Sequence, residues 1–149
     1  MSIVNVAKVI LNINGQMTTM KLQKLAYYSQ AHSLATTGLS LFPEDFEAWR
    51  NGPVSLELFK RHRGKLMIRR NELLFTKDEE YTTLTQNQVR IIEEVCIKLG
   101  KFTGNELSER THQERPWIQA RIGIPAHMGS EEIISKQSIR DYYLRHPIA

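Results

Sequence analysis

Five histidines, one cysteine and sixteen carboxylates are the side chains of this 149-residue chain able to do acid–base, nucleophilic or metal-assisted chemistry. His32, His62, His112, His127 and His146 are scattered, and no two stand three or four residues apart, the spacing that sets two ligands on one helix face. A single cysteine offers no thiolate cage, so neither a metal nor another cofactor is expected. His112 near Glu114, with Glu47 elsewhere, is the one acid–base set that would serve a hydrolase. The plainer reading has His112 satisfying the last carbonyls of its helix while Glu114 opens the next. Cys96 shares an apolar face with Ile92 and Leu99, as a small core residue does. Phosphate loop, dinucleotide fingerprint, zinc-protease motif, EF-hand and nucleophile elbow are all absent, and the expectation is a protein that is not an enzyme.

Binding chemistry is better represented. Lys60, Arg61, Arg63, Lys65, Arg69 and Arg70 make the most charged segment. Laid along a nucleic-acid backbone they would make a regulator with salt-dependent affinity. Without interleaved aromatics or a helix-turn-helix signature, a solvated or protein-facing role ranks higher. Lys21, Gln23, Lys24, Tyr27 and Tyr28 form a second set on one predicted helix. Adjacent tyrosines point about 100° apart on a helix, so one is expected in the core and the other on a contact surface among Lys and Gln.

The elements that must position these residues are mostly helices. Val6, Val9, Ile10 and Ile13 predict a first helix stopped by Asn14-Gly15. Thr18 or Thr19 caps a longer one, with Leu22, Leu25, Ala26 and Ser29 on one face, Leu34 continuing it and Gly38 ending it. Residues 39–52 read as a loop with one short strand, and Pro53 is expected at the first position of a helix whose Leu56 and Phe59 face inward until about His62. Residues 64–83 are weakly periodic, with Leu73-Leu74-Phe75 or Tyr81-Thr82-Thr83 as candidate strands. Thr85 with Gln88 and Thr103 with Glu106 are capping boxes, with Leu84/Val89 and Phe102/Leu107 as hydrophobic staples, for helices ending at Gly100 and near His112. Pro116 starts a short helix carrying Trp117, Ile118 and Arg121; Glu132-Ile133-Ile134 is extended; Ser135 caps a last helix in which Ile139, Tyr142 and Tyr143 pack.

The resulting fold class is mainly α, a compact multi-helix single domain over 1–149 with a minor β component. Composition agrees: 41% hydrophobic and 24% charged residues support a core and argue against disorder. Of the net +4, the first 75 residues hold ten basic and five acidic side chains, which suits an acidic partner surface. No stretch reaches the ~20 apolar residues of a membrane span, no secretory signal is visible, and the lone cysteine fits a reducing compartment; a mature cytoplasmic protein is expected.

Three blocks carry a resemblance. Lys21-Leu22-Gln23-Lys24-Leu25-Ala26-Tyr27-Tyr28, then Glu47-Ala48-Trp49-Arg50-Asn51-Gly52-Pro53-Val54, then Leu107-Ser108 with Thr111-His112-Gln113-Glu114-Arg115-Pro116-Trp117, resemble in order and spacing the Panacea domain of SocA-like and phage-associated GepA-like antitoxins. The likeness spans about Ile3 to Tyr143. It implies an antitoxin of a bacterial or prophage toxin–antitoxin pair that binds a protein toxin encoded by a neighbouring gene, with a cellular protease as a further partner if the chain is an adaptor. Leu22, Gln23, Leu25, Glu47, Trp49, Gly52, Pro53, His112, Pro116 and Trp117 are expected to maintain the scaffold. Lys21, Lys24, Tyr27, Tyr28, Lys60, Arg61 and Arg63 are the candidate toxin contacts, and with the likeness taking up nearly all 149 residues no added DNA reader is expected.

Overall fold

The computed structural model describes residues 1–149. Eight helices are joined by short strands: α1 (Ile3–Asn14), β1 (Met17–Thr18), α2 (Thr19–Thr37), β2 (Phe46–Trp49), β3 (Gly52–Val54), α3 (Leu56–His62), β4 (Met67–Ile68), α4 (Lys77–Tyr81), α5 (Gln86–Leu99), α6 (Gly104–His112), α7 (Arg115–Ala120), β5 (Ile133–Ile134) and α8 (Lys136–Arg145). The mainly helical class with a minor sheet is thus the observed one.

Local chemistry sets most helix ends. Thr18 Oγ1 accepts from the Lys21 N–H to start α2, and Gly38, at φ 77°, ends it in the left-handed conformation. Both predicted capping boxes are formed, Thr85 with Gln88 on α5 and Thr103 with Glu106 on α6. Ser135 caps α8, and α7 carries Pro116 in its first turn.

α2 is the axis of the molecule. From Leu22 to Leu34 every residue is buried, because α1, α5, α6, α8 and β3 all pack on it. The expected division into a Leu face and a polar contact face is corrected here: a helix enclosed by five elements has no solvent side. Its polar residues are instead spent on backbone groups that burial would leave unpaired. Gln30 donates to the Phe42 carbonyl (2.8 Å) and accepts from the Leu41 N–H (2.7 Å). Seven residues earlier on the same face, Gln23 donates to the Ser55 carbonyl (3.1 Å) and accepts from the Ser55 N–H (2.9 Å). Two amides thereby fasten both ends of the 41–55 segment to one helix.

That segment contains a β2–β3 hairpin, antiparallel with Trp49 opposite Gly52, and β5 adds to the other edge of β2 with Phe46 opposite Ile134. Pro53 corrects its expected place: it lies in β3, an edge strand where a missing N–H is tolerated, and α3 starts three residues later behind the Ser55 cap. The inward residue of α3 is Leu58, fully buried, while Leu56 is 39% exposed. Neither candidate strand in 64–83 exists: Leu73-Leu74-Phe75 is irregular, Tyr81 ends α4, and the pairing strand is β4, antiparallel to β1 with Met17 opposite Ile68. On α1, Ile13 is 41% exposed, and Ile3, Val4, Ala7 and Leu11 join Val6 and Ile10 inside. One hydrophobic cluster of 31 buried residues draws on the chain from Ile3 to Ile148. No helix is long and apolar enough to cross a membrane.

Candidate functional site

The hairpin around the tip Trp49 to Gly52, which the second sequence block forms, is held by side chains of the first and third blocks and by Arg121. A two-residue connection between strands exposes its carbonyls, and where the hairpin lies against helices these must find donors. Five side chains supply them. Arg121 Nη1 donates to Ala48 (2.8 Å), Trp117 Nε1 to Trp49 (2.8 Å), Ser108 Oγ to Asn51 (2.5 Å), Lys24 Nζ to Pro53 (3.2 Å) and Gln23 Nε2 to Ser55 (3.1 Å). Donors from α2, α6 and the α7 end therefore converge on one hairpin.

Gly52 is required at the centre of this clamp. Its φ is 112°, and a Cβ there would stand 2.7 Å from both Lys24 Cε and Thr111 Oγ1. Trp49 has its indole N–H on Glu47 Oε1 (2.8 Å) and packs edge-on against Phe59, centroids 5.2 Å apart. Beside the hairpin opens a cleft of about 710 Å³, lined among others by Met20, Lys24, Trp49, Arg50, Phe59 and His62, and by Gly129, Ser130 and Glu131 from the segment leading into β5. A hollow of about 990 Å³ between α7 and α8 mixes exposed Gln113, Arg115, Asp141 and Arg145, and holds no buried charge.

The cleft floor is electrostatically unusual. Lys24 is 1% exposed and belongs to no ion pair, and burial pushes its amine down to about 7. His62, also buried, meets the Gln23 amide through Nε2 (3.1 Å); burial lowers its pKa, its own backbone hydrogen bond opposes that, and the nearby Lys24 charge lowers it further.

The predicted contact residues separate accordingly. Lys24, Tyr27 and Tyr28, candidate contacts with one of the tyrosines expected in the core, are all in the interior, the tyrosines at 1% and 0% exposure, because α8 and α6 close over that side of α2. Tyr28 and Tyr143 both donate to Glu114 Oε1 (2.5 and 2.8 Å), Tyr143 also reaches Tyr27 (3.3 Å), and Arg110 Nε is 3.6 Å from Glu114 Oε2. Burial raises the Glu114 pKa against the pull of these hydrogen bonds. Glu114 stands at the N-cap of α7, as expected, but its side chain caps nothing there. Lys21, half-buried, donates to the Gly100 carbonyl (2.6 Å). In the basic stretch, Arg61 pairs with Glu79 (2.6 Å) and Glu57 (3.2 Å), and Lys65 pairs with Glu72 (3.1 Å). Lys60, Arg69 and Arg70 stay exposed, as does Arg63, whose guanidinium lies 5.5 Å from the Phe59 ring centre.

Of the scaffold residues, Leu22 and Leu25 are core, and Gln23, Glu47, Trp49, Gly52, Pro53 and Trp117 belong to the clamp or its hairpin. Pro116 is buried in α7. His112 departs from its expected capping role. The α6 end is closed by the Gln113 N–H on the Arg110 and Thr111 carbonyls, while the imidazole stacks on Trp117 at 4.2 Å with Nε2 buried and unpartnered. Burial lowers its pKa, against the opposing pull of Glu109 and a backbone hydrogen bond at Arg50. Cys96 is buried as expected, its thiol pushed up to about 11 by burial. No group of three His, Cys, Asp or Glu side chains could hold a metal ion.

Sequence reasoning missed His62, the clamping role of Arg121 and the whole Glu79 junction. None of these is announced by local spacing; only the identity of Arg121, one turn past Trp117, offers a hint.

A family model described as antitoxin SocA-like, Panacea domain matches residues 22–118, a stretch that begins beside the first clamp donor and ends just after Trp117. No curated protein and no solved structure matches the chain. With the hairpin, the cleft wall and four of the five clamp donors inside a match that covers well over half of 149 residues, the chain belongs to the SocA-like antitoxin family that carries the Panacea domain.

Proposed function

We propose that this chain, acting as one domain in the cytoplasm and without catalysis of its own, neutralises a cognate protein toxin by binding it directly. The family assignment carries this reading. The clamp supports it physically: it holds an exposed Arg50-Asn51 tip and the half-buried Trp49 rigidly beside an open cleft, and rigid aromatic and Arg groups are the side chains that most often dominate protein interfaces. The exposed cations Lys60 and Arg63 lie on the helix whose Phe59 and His62 line that cleft, or just past its end, and extend a positive rim towards an acidic partner. The neutralised state of Arg61 and Lys65 leaves the basic stretch with fewer free charges for a phosphate backbone.

The test is co-expression with the product of the adjacent gene. Growth should stop when the neighbour is expressed alone, resume when this chain is supplied, and the two should co-purify. A neighbour that is harmless alone, or that remains toxic beside this chain, refutes the reading.

A further inference from the structure

Lys24 is a buried cation without a counter-charge. Its one acceptor is the Pro53 carbonyl at 3.2 Å, which leaves two of three N–H donors unused, and no carboxylate pairs with it. Of the charged or titratable residues that line the cleft, Arg50 on the hairpin tip and His62 on α3 are basic, and Glu131, in the segment that runs into β5 beside β2, is the single acid; His112 on α6 also feels the Lys24 charge. Glu47 on β2 is engaged by the Trp49 indole, and Lys21 on the same helix is turned to the Gly100 carbonyl. An uncompensated buried charge is costly, and a ligand that supplies the missing anion recovers that cost on binding. Trp49, Phe59, Val54 and Met20 contribute an apolar and aromatic part of the lining, beside the polar Thr19, Gln23, Asn51 and Ser130.

We propose that the cleft receives an acidic side chain, Asp or Glu flanked by apolar residues, from the bound toxin, its carboxylate on Lys24 and Arg50 and its neighbours against Trp49 and Phe59. The assignment rests on the antitoxin reading for the identity of the partner. A side chain rather than a chain terminus is proposed because the cleft is open to solvent and lined from α2, the hairpin, α3 and residues 129–131, so a polypeptide can lie across it. Carboxylate binding favours the charged amine, so it raises the Lys24 pKa from about 7 and takes up a proton above that pH. The two neighbouring histidines, held below their ordinary values, are already neutral there.

The matter is decided on the full chain by two amidated peptides, acetyl-Phe-Glu-Phe-amide and acetyl-Phe-Gln-Phe-amide, and by acetyl-Phe-Gln-Phe with a free C-terminus, titrated calorimetrically and by NMR. At about pH 6.5 the Glu peptide should bind about tenfold more tightly than the Gln peptide, a preference that Lys24→Met abolishes and the exposed-site variant Arg50→Gln weakens about threefold. At about pH 8.5 the heat of binding in buffers of different ionisation enthalpy should report uptake of about one proton. Equal affinity of the two peptides, no binding of the Glu peptide at millimolar concentration, or tighter binding of acetyl-Phe-Gln-Phe with a free C-terminus overturns the proposal. The peptide comparison needs no variant to fold. If the adjacent gene product is neutralised equally well by Lys24→Met, the cleft assignment fails while the antitoxin reading stands. If that product is not neutralised at all, the antitoxin reading fails and the peptides still decide what the cleft binds.

Discussion

Burial takes the Lys24 amine from 10.5 to about 7, so between those values the folded chain has released a proton that the unfolded chain keeps. The unfolded state binds more protons over that window, and unfolding free energy therefore rises with pH from about 7 to 10.5; below 7 the folded chain carries the full cost of the buried charge. Lys24→Met keeps an unbranched side chain one atom shorter, removes that cost and loses one hydrogen bond. The variant should be more stable than the natural chain at pH 6, on the order of 3 kcal/mol, with the difference shrinking steadily towards pH 10 in paired thermal melts. A constant difference across pH would show that Lys24 does not titrate in this window. A stabilising substitution at a site proposed to bind the partner is the trade expected where function requires a strained group. Glu114 works in the opposite sense. Its raised pKa means that its contribution is present below the ordinary carboxyl range and is lost as pH climbs through the folded value.

The β2–β3 hairpin owes its place to donors from three helices rather than to its own nine residues, Phe46–Val54. Gly52→Ala tests this, because it adds left-handed strain and drives a Cβ into Lys24 and Thr111; a loss of about 2–4 kcal/mol by urea unfolding is expected. Gly123→Ala is the control. Its φ is also positive, 85°, but nothing lies within 4 Å of the added Cβ, so only about 1 kcal/mol of strain is lost. Equal losses would mean that the clamp exerts no steric demand. The same contrast explains what was legible at this scale. The capping boxes at Thr85 and Thr103 could be read directly, because both partners sit three residues apart in one chain segment. Pro53 was misplaced because two rules, helix start and edge strand, admit the same residue, and only the Ser55 cap and the pairing with Ala48 choose between them.

At the scale of the whole molecule, Glu79 ties three helices that no spacing connects. Burial works against its charge, but hydrogen bonds from Arg61, the Thr76 N–H and the Ser2 hydroxyl hold its carboxyl down to about 2. Its backbone carbonyl also accepts from Asn5 Nδ2 at 2.6 Å, which joins the start of α1 to α4 and, through Arg61, to α3. A depressed carboxyl pKa contributes stability above 4.5 that is lost as pH falls towards 2. Arg61→Ala should therefore cost about 1–2 kcal/mol at neutral pH, and its deficit against the natural chain should fade between pH 4.5 and 2 in acid unfolding. A deficit that persists at pH 2 would assign the loss to the guanidinium's other contacts, the Leu74 carbonyl at 2.7 Å among them.

The amino-acid sequence by itself determined the helical class, the ends of α2, α5 and α6, the start of α8, and the three blocks that place the chain in its family, since each depends on residues within one or two helical turns or on an ordered pattern of types. Only the tertiary structure decided which side chains face water. Periodicity assumes a helix with one solvent face; α2 is enclosed on all sides, so Tyr27, Tyr28 and Lys24 went inside with partners 29 to 116 residues away. The same enclosure turned a lysine expected on the surface into the uncompensated charge at the floor of the cleft. Burial is a property of the packed whole, and an isolated stretch of sequence does not encode the number of neighbours that will cover it.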